Sequence, residues 1–206
     1  MTEKSNIEAL LFDLGGVVIS IDFNNAFQNW QSHSRLSIDE IRSRFKMDAA
    51  YEKHERGEID ATEYFKHLRN VMELEGSDEE IAKGWNSIYT GVFDENLKTI
   101  LSLKNQLPCF AFTNTNFVHK VFWTAKYPQV VSAFERIFDS SEMGLRKPEK
   151  AAFEFISLET GYNLSSILFF DDTQENIVGG REAGLQVVHV QNPSDVRRAL
   201  SRYELL

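Results

Sequence analysis

Three short runs of apolar residues each end at polar or acidic side chains. The runs are residues 7–12, followed by Asp13; residues 110–112, followed by Thr113 and Asn114; and residues 167–170, followed by Asp171 and Asp172. A run that is apolar on both faces and too short for a helix is typical of a central strand in a parallel sheet. Residues 136–139 and 186–190 are weaker strand candidates. Five such strands with helices between them predict a doubly wound, Rossmann-like α/β sheet, whose ligands bind at the carboxyl ends of the strands.

The stretch between the first two predicted strands carries helix signals and no strand signal. Ser37 and Ser77 each open a capping box that ends in a glutamate three residues later, and Asp60 opens a similar pattern. Apolar residues also recur at helical spacing at Phe23, Ala26, Phe27 and Trp30. We therefore expect an all-helical domain, residues 21–91, inserted into an α/β core domain formed by residues 1–20 and 92–206.

Composition and charge limit the classes of partner. The 206 residues are 42% hydrophobic and carry a net charge of -9, and an acidic surface disfavours nucleic acid and anionic membranes as partners. No apolar run approaches the roughly 20 residues of a transmembrane helix, and residues 1–8 are polar, without a secretory core. We expect a cytoplasmic protein that is a monomer or a weak homo-oligomer. The single cysteine, Cys109, permits no internal disulfide, and we expect it in the core.

Four motifs in chain order define a candidate site. They are the strand and glycine turn LLFDLGG at residues 10–16, Thr113-Asn114 after the second strand, Arg146-Lys147-Pro148 at a predicted helix start, and Phe169-Phe170-Asp171-Asp172 with Asn176 one turn later. Together they resemble the haloacid dehalogenase (HAD) superfamily, and the resemblance covers nearly the whole chain. The helical insertion is similar to the cap of subfamily I. The resemblance implies a phosphatase that requires Mg²⁺, attacks phosphorus with an aspartate and forms an aspartyl phosphate.

The resemblance also assigns roles to individual residues. Asp13 would be the nucleophile, and a hard cation is needed because a carboxylate and a phosphate repel each other. Metal ligands would be Asp13, the Gly15 carbonyl and Asp172, with Asp171 binding through water or orienting its neighbour. Lys147 would contact the phosphoryl group. We expect this lysine at a helix N-terminus, with Pro148 at the first position of the helix. The other predicted contacts to phosphate or substrate within the core motifs are Gly15, Gly16, Thr113 and Asn114.

One position departs from the usual pattern of the family's phosphatases. They carry a second aspartate two residues after the nucleophile, which acts as general acid and base, whereas this sequence has Gly15. Three explanations are open: a leaving group that needs little help, a proton donor elsewhere, or weak or lost activity. His54, Glu55 and His119 are candidate donors.

Further details resemble the bacterial branch that includes α-D-glucose-1-phosphate phosphatase. They include HERGEI at residues 54–59, TNTN at 113–116 and MGLRKPE at 143–149, and the branch also has glycine at the second-aspartate position. We therefore expect hydrolysis of a small phosphorylated metabolite, a sugar phosphate such as α-D-glucose 1-phosphate. A non-catalytic ligand-binding or regulatory protein and a metal-independent 2-haloacid dehalogenase are the alternatives. Candidate substrate contacts are Asn24, Trp30, His54, Arg56, Trp85 and Asn116.

Overall fold

A computed structural model describes residues 6–206. Most of the polar segment 1–8, on which the cytoplasmic prediction partly depends, lies outside the described residues. The strands are β1 (Ala9–Phe12), β2 (Ile19–Ile21), β3 (Tyr89–Val92), β4 (Cys109–Thr113), β5 (Arg136–Asp139), β6 (Ile167–Asp171) and β7 (Gln186–His189). The helices are α1 (Phe23–Gln31), α2 (Ile38–Arg44), α3 (Ala49–Glu55), α4 (Ala61–Met72), α5 (Asp78–Asn86), α6 (Asp94–Leu103), α7 (Phe117–Lys126), α8 (Pro128–Val131), α9 (Ser140–Met143), α10 (Lys150–Thr160), α11 (Gln174–Ala183) and α12 (Ser194–Arg202).

The main sheet is fully parallel, with the strand order β5-β4-β1-β6-β7. All five predicted strands are present, which confirms the doubly wound α/β fold. Side chains of β1 alternate between the two layers that cover the sheet: Leu10 and Phe12 join one buried cluster, and Ala9 and Leu11 join the other. Burial on both faces explains why this strand has no polar position until the chain leaves the sheet at Asp13.

Five helices, α1–α5, lie between β2 and β3, where the sequence carries helix signals. The Ser37 and Ser77 capping boxes both form, and the Asp60 side chain caps α4. The expectation that the stretch 21–91 lacks strands is wrong, because β2 and β3 form a two-stranded antiparallel ribbon at its two ends. These strands have three and four residues, too few for an alternating pattern to be recognised in the sequence.

Two further expectations concern Cys109 and membrane helices. Cys109 is fully buried, and burial raises the pKa of its thiol to about 12, so the prediction of a core cysteine is confirmed. Among the helices of residues 6–206, none combines the length and the apolar character that crossing a membrane requires.

Candidate active site

The carboxyl ends of three neighbouring strands bring the predicted site residues together. Phe12 of β1 pairs with Ala111 of β4 and with Phe170 of β6, so the residues that follow lie at one edge of the sheet. Asp13, Thr113 and Asp171 are buried there. The parallel register therefore delivers two acids and a hydroxyl from three distant parts of the chain to one place.

Lys147 lies at the centre of this cluster and is 1% exposed. Its Nζ is 2.8 Å from the Phe112 carbonyl oxygen, 2.7 Å from Asp171 Oδ2 and 3.0 Å from Asp13 Oδ1. Three acceptors match the three N–H groups of an ammonium. The lysine is therefore fixed as a buried counter-charge between the two carboxylates.

The loop that carries Lys147 is held by an amide side chain. Asn114 Nδ2 donates to the Lys147 carbonyl at 2.9 Å, and Asn114 Oδ1 accepts from the Lys147 N–H at 2.9 Å. The prediction that Lys147 stands at a helix N-terminus is wrong, because α10 begins at Lys150 with Glu149 as its N-cap. The Asn114 side chain, and not a helix N-terminus, therefore positions the lysine.

Three carboxylates meet beside this lysine. Asp13, Asp171 and Asp172 each offer one oxygen, and these oxygens lie within 4.8 Å of one another. Asp171 also accepts hydrogen bonds from the Thr173 N–H at 2.8 Å and from Asn176 Nδ2 at 3.0 and 3.1 Å. Asp171 is therefore largely satisfied by protein donors, whereas Asp172 lines the open pocket above the site.

The proximity of the acids is reflected in their pKa values. Burial raises the pKa of Asp13 to about 8, with Lys147 opposing and the two other aspartates reinforcing the shift. Burial and the neighbouring Asp171 likewise raise the pKa of Asp172. Burial alone would lower the pKa of Lys147, but the two carboxylates outweigh it and raise that pKa. One lysine therefore does not offset three neighbouring carboxyl groups, and without a cation part of this cluster is protonated near neutral pH.

This donor set fits a hard divalent cation. Mg²⁺ is bound by carboxylate and carbonyl oxygens and retains several waters. Among the described residues the aspartate cluster offers three carboxylate oxygens at mutual distances that one ion can span. The side chains that would hold the ion are those of Asp13, Asp171 and Asp172.

The glycine turn after Asp13 makes room for Asp172. Gly16 has φ +74°, and a Cβ added there would lie 2.1 Å from Asp172 Oδ2. Its N–H donates to the Ile19 carbonyl at 2.9 Å, so this amide is already used, contrary to its predicted role as a phosphate contact. Gly15 lines the pocket. Gly16 is therefore needed for the position of the acid opposite it.

Gly16→Ala should impair cation binding beyond its cost in stability. Gly144 provides a matched control, since it has φ +67° and no atom lies within 4 Å of a Cβ added there, so alanine introduces strain without a clash. Each variant should lose roughly 1–2 kcal/mol for a left-handed alanine. Only Gly16→Ala should weaken Mg²⁺ binding measured by calorimetry. Equal Mg²⁺ affinity in the two variants would contradict this placement of Asp172.

Mg²⁺ affinity of the metal-free protein should rise with pH. Carboxylates must be ionised to bind a metal, and the raised pKa of Asp13 and Asp172 leaves part of this cluster protonated near neutrality. Binding therefore releases protons, and affinity should increase by up to about tenfold per pH unit for each proton released. Calorimetry in buffers of different ionisation enthalpy, from acidic pH to pH 8, measures this release. A pH-independent affinity would argue against the raised pKa values.

A pocket opens above the aspartates, between the sheet edge and the helical segment. The helical segment contributes Phe23, Met47, Tyr51 and Glu55, and the core contributes Arg146. A smaller cavity beside it shares Gly15, Thr113 and Asn114 with the pocket and extends to His119. Tyr51, Met47 and Phe23 were missed as site residues because aromatic and apolar side chains have no pattern that separates a pocket wall from a core.

The structure does not bring the other predicted substrate contacts into this pocket. Trp30 and Trp85 are 0% exposed and stack on each other at 5.5 Å inside the helical segment. Arg56 does not line the pocket; its Nε donates a hydrogen bond to Glu149 Oε1 at 2.9 Å. Asn116 caps α7 by accepting the His119 N–H, and Asn24 bonds to Asp22 and Arg42 on the surface.

The two histidines considered as proton donors are poorly suited to that role. His119 is buried against Trp85 and Tyr89, and burial lowers its pKa to about 3. His54 stacks on Tyr64 at 4.4 Å, its Nδ1 lies 3.3 Å from the Ile59 carbonyl oxygen, and burial lowers its pKa as well. Both rings are therefore neutral at neutral pH.

Comparison with known proteins agrees with this geometry. The profile of haloacid dehalogenase-like hydrolases matches residues 7–184, and the chain belongs to this family. The chain is 27% identical to D-ribitol-5-phosphate phosphatase of Bacteroides thetaiotaomicron. The alignment covers 95% of this chain and 97% of that protein. A phosphatase of Mycobacterium tuberculosis is 22% identical, with coverage of 96% and 93%.

Solved structures show the same fold. A HAD family enzyme from B. thetaiotaomicron, crystallised with magnesium and inorganic phosphate, superposes on this chain with a TM-score of 0.78. The two sequences are 28% identical, and the superposition covers 89% of this chain and 93% of the other. L-2-haloacid dehalogenase from Xanthobacter autotrophicus superposes with a TM-score of 0.67 at 16% identity, covering 95% and 81%. At that identity the second comparison supports the fold alone.

Proposed function

We propose that this protein is a Mg²⁺-dependent phosphatase that hydrolyses a small phosphorylated sugar or sugar alcohol through an aspartyl phosphate. One observation carries the proposal: the nucleophile candidate Asp13 lies 3.0 Å from Lys147 Nζ, and Asp171 and Asp172 complete a cation-binding set beside it. A surface cluster of acids would not enclose a buried lysine with three acceptors. The named phosphatase relatives support the same activity.

Each residue of the cluster has a task in this reaction. Asp13 Oδ attacks phosphorus in line with the leaving oxygen. Lys147 orients the Asp13 carboxyl group and opposes the rise in its pKa that burial causes. The Thr113 hydroxyl and the Asn114 N–H donate to phosphoryl oxygens at the end of β4. Bound Mg²⁺ would neutralise phosphoryl charge and so lessen the repulsion between the phosphate and Asp13. Asp171 holds Lys147 in place through the 2.7 Å contact between Oδ2 and Nζ.

Residues 21–91 serve as a cap domain over the core formed by residues 1–20 and 92–206. Two ion pairs across this division support the assignment: Arg146 Nε lies 2.9 Å from Glu55 Oε2, and Arg56 Nε lies 2.9 Å from Glu149 Oε1. With Tyr51 and Glu55, α3 covers the aspartates and excludes bulk water from the reaction. The cap thereby limits the size of the leaving group.

The relatives and the sequence suggest two kinds of leaving group. A relative is named for ribitol 5-phosphate, an ester of a primary alcohol, whereas the sequence motifs resemble the branch that acts on α-D-glucose 1-phosphate. Both molecules are small, neutral apart from the phosphate, and rich in hydroxyl groups. We therefore place the substrate among phosphorylated sugars and sugar alcohols, with glucose 1-phosphate and ribitol 5-phosphate as the first compounds to test.

A phosphate-release screen tests the proposed function. Purified protein is incubated with phosphorylated sugars and sugar alcohols, with Mg²⁺ or with EDTA, and with 2-haloacids in parallel. The expected result is phosphate release from at least one compound, in Mg²⁺ only. Halide release in EDTA would support the dehalogenase alternative. Binding of phosphate analogues without turnover of any compound would support a regulatory role and overturn the proposal.

A further inference from the structure

We propose that Glu55 is the acid–base residue of this site and replaces the carboxyl group missing at position 15. The inference depends on the proposed phosphatase function and extends it to a residue of the helical cap. In the pattern usual for the family this group belongs to the core, two residues after the nucleophile. Here it would come from the carboxyl end of α3, so that the active site is complete only with the cap in place.

The position of Glu55 is the first support for this role. It lines the pocket that contains Asp13 and Asp172, and it also lines the adjoining cavity beside Gly15. Its side chain is 6% exposed, so it faces the enclosed space between cap and core and not bulk solvent. Gly15 has no side chain that could fill this space. A leaving group that occupies this space would lie beside Glu55.

The partners of Glu55 fix its carboxyl group. Arg146 Nε donates to Oε2 at 2.9 Å, and the Tyr51 hydroxyl is a further hydrogen-bond partner. Arg146 Nη1 also lies 3.3 Å from Oε1 of Glu52, but the Glu52 side chain is 41% exposed, so this pair adds little to the position of Arg146. Lys147 is the remaining charged neighbour. Burial outweighs these two cations and raises the pKa of Glu55, which favours retention of the proton that a general acid must carry.

Other side chains of the two cavities meet the requirement less well. Tyr51 and Tyr89 have pKa values raised well above the ordinary value by burial, so they are poor acids. Burial lowers the pKa of His119 to about 3, so its ring is neutral at neutral pH and is a poor acid. Asp172 is committed to the cation cluster. Two carboxyl groups of this pocket lie outside that cluster, Glu55 and Glu175. Glu175 is exposed in the first turn of α11, whereas Glu55 is buried and also lines the cavity beside Gly15.

The two chemical steps balance with Glu55 in this role. In the first step Asp13 Oδ forms a bond to phosphorus, the bond from phosphorus to the leaving oxygen breaks, and that oxygen takes the proton of Glu55. In the second step Glu55 accepts a proton from water while the water oxygen bonds to phosphorus. The bond from phosphorus to Asp13 then breaks, which releases phosphate and returns both residues to their starting forms.

Glu55→Gln tests the inference, because glutamine keeps the size and loses the proton. First-turnover release is measured by rapid quench for p-nitrophenyl phosphate, whose leaving group needs no proton, and for ribitol 5-phosphate and glucose 1-phosphate. The variant should release p-nitrophenol within a few-fold of the wild-type rate. It should release the sugar or sugar alcohol about 10²–10⁴-fold more slowly.

Glu52→Gln is the matched control, since Glu52 is the other carboxylate on Arg146, lies one turn earlier on α3 and has a 41% exposed side chain. It should react at near wild-type rates with all three substrates, and thermal unfolding should show both variants folded. Equal losses on all substrates, or no loss, would overturn the role of Glu55 and leave the phosphatase function intact. An inactive wild type on every substrate would remove the proposed function and this inference together.

Discussion

Asp13→Asn should abolish turnover in the phosphate-release assay. The amide nitrogen and oxygen of asparagine cannot form the covalent phosphoryl intermediate, and loss of a nucleophile costs on the order of 10⁴-fold or more in rate. The asparagine Oδ1 can still accept the hydrogen bond that Lys147 Nζ now donates to Asp13 at 3.0 Å. The expected result is therefore an inactive protein whose fold is intact.

Stability measurements separate this outcome from misfolding. The folded-state pKa of Asp13 is raised above 3.8, to about 8, so ionised Asp13 destabilises the metal-free fold progressively as pH rises through this range. Asparagine is neutral throughout. Without metal, the variant should match the wild type only below about pH 4 and should become increasingly more stable than the wild type toward pH 8, as measured by thermal unfolding. A variant that is much less stable at both pH values, or one that keeps its turnover, would contradict the assignment of Asp13.

Lys147→Met should be the most destabilising substitution in the core of the site. It leaves Asp13 and Asp171 buried without their shared cation, and removal of one partner from a buried ion pair costs about 3–5 kcal/mol. For a chain of this size that corresponds to a fall of roughly 6–20 °C in Tm. Turnover should also fall by about 10²–10³, the usual cost of losing a donor to transition-state charge.

Lys150→Met is a suitable control for the loss of a lysine. Its Nζ pairs with Glu154 at 3.1 Å, but the two side chains are 66% and 53% exposed, and such surface pairs contribute about 0–1 kcal/mol. Mg²⁺ should raise the Tm of Lys147→Met more than that of the wild type, because a second cation can offset part of the lost charge. Similar Tm values for the two lysine variants would show that Lys147 is not the counter-charge of the cluster.

The core of the site could be predicted from the sequence because its residues depend on strand ends. Once residues 9–12, 109–113 and 167–171 are recognised as parallel strands, their following residues must meet at one edge of the sheet. Asp13, Thr113 and Asp171 therefore lie where they were expected. Lys147 was also expected in the cluster, although its position depends on Asn114 and not on a helix N-terminus.

The contacts made by the cap were much harder to predict. Trp30 and Trp85 carry the same helical spacing whether they face a pocket or one another, and only packing between α1 and α5 decides this. Similarly, Arg56 pairs with Glu149, 93 positions along the chain, and nothing in the local sequence indicates that partner. Glu55 was one of three candidate donors, and its burial beside Arg146 became apparent only in the folded chain.

The most direct test of the central claim is to trap the phosphorylated enzyme. The protein is mixed with p-nitrophenyl phosphate and Mg²⁺, quenched with acid within the first turnover, digested and analysed by mass spectrometry. We expect one added phosphoryl group on the peptide that contains Asp13, and none with EDTA or in Asp13→Asn. Turnover of the same substrate with an unmodified Asp13 peptide, or phosphorylation of a different residue, would contradict the role of Asp13 as nucleophile.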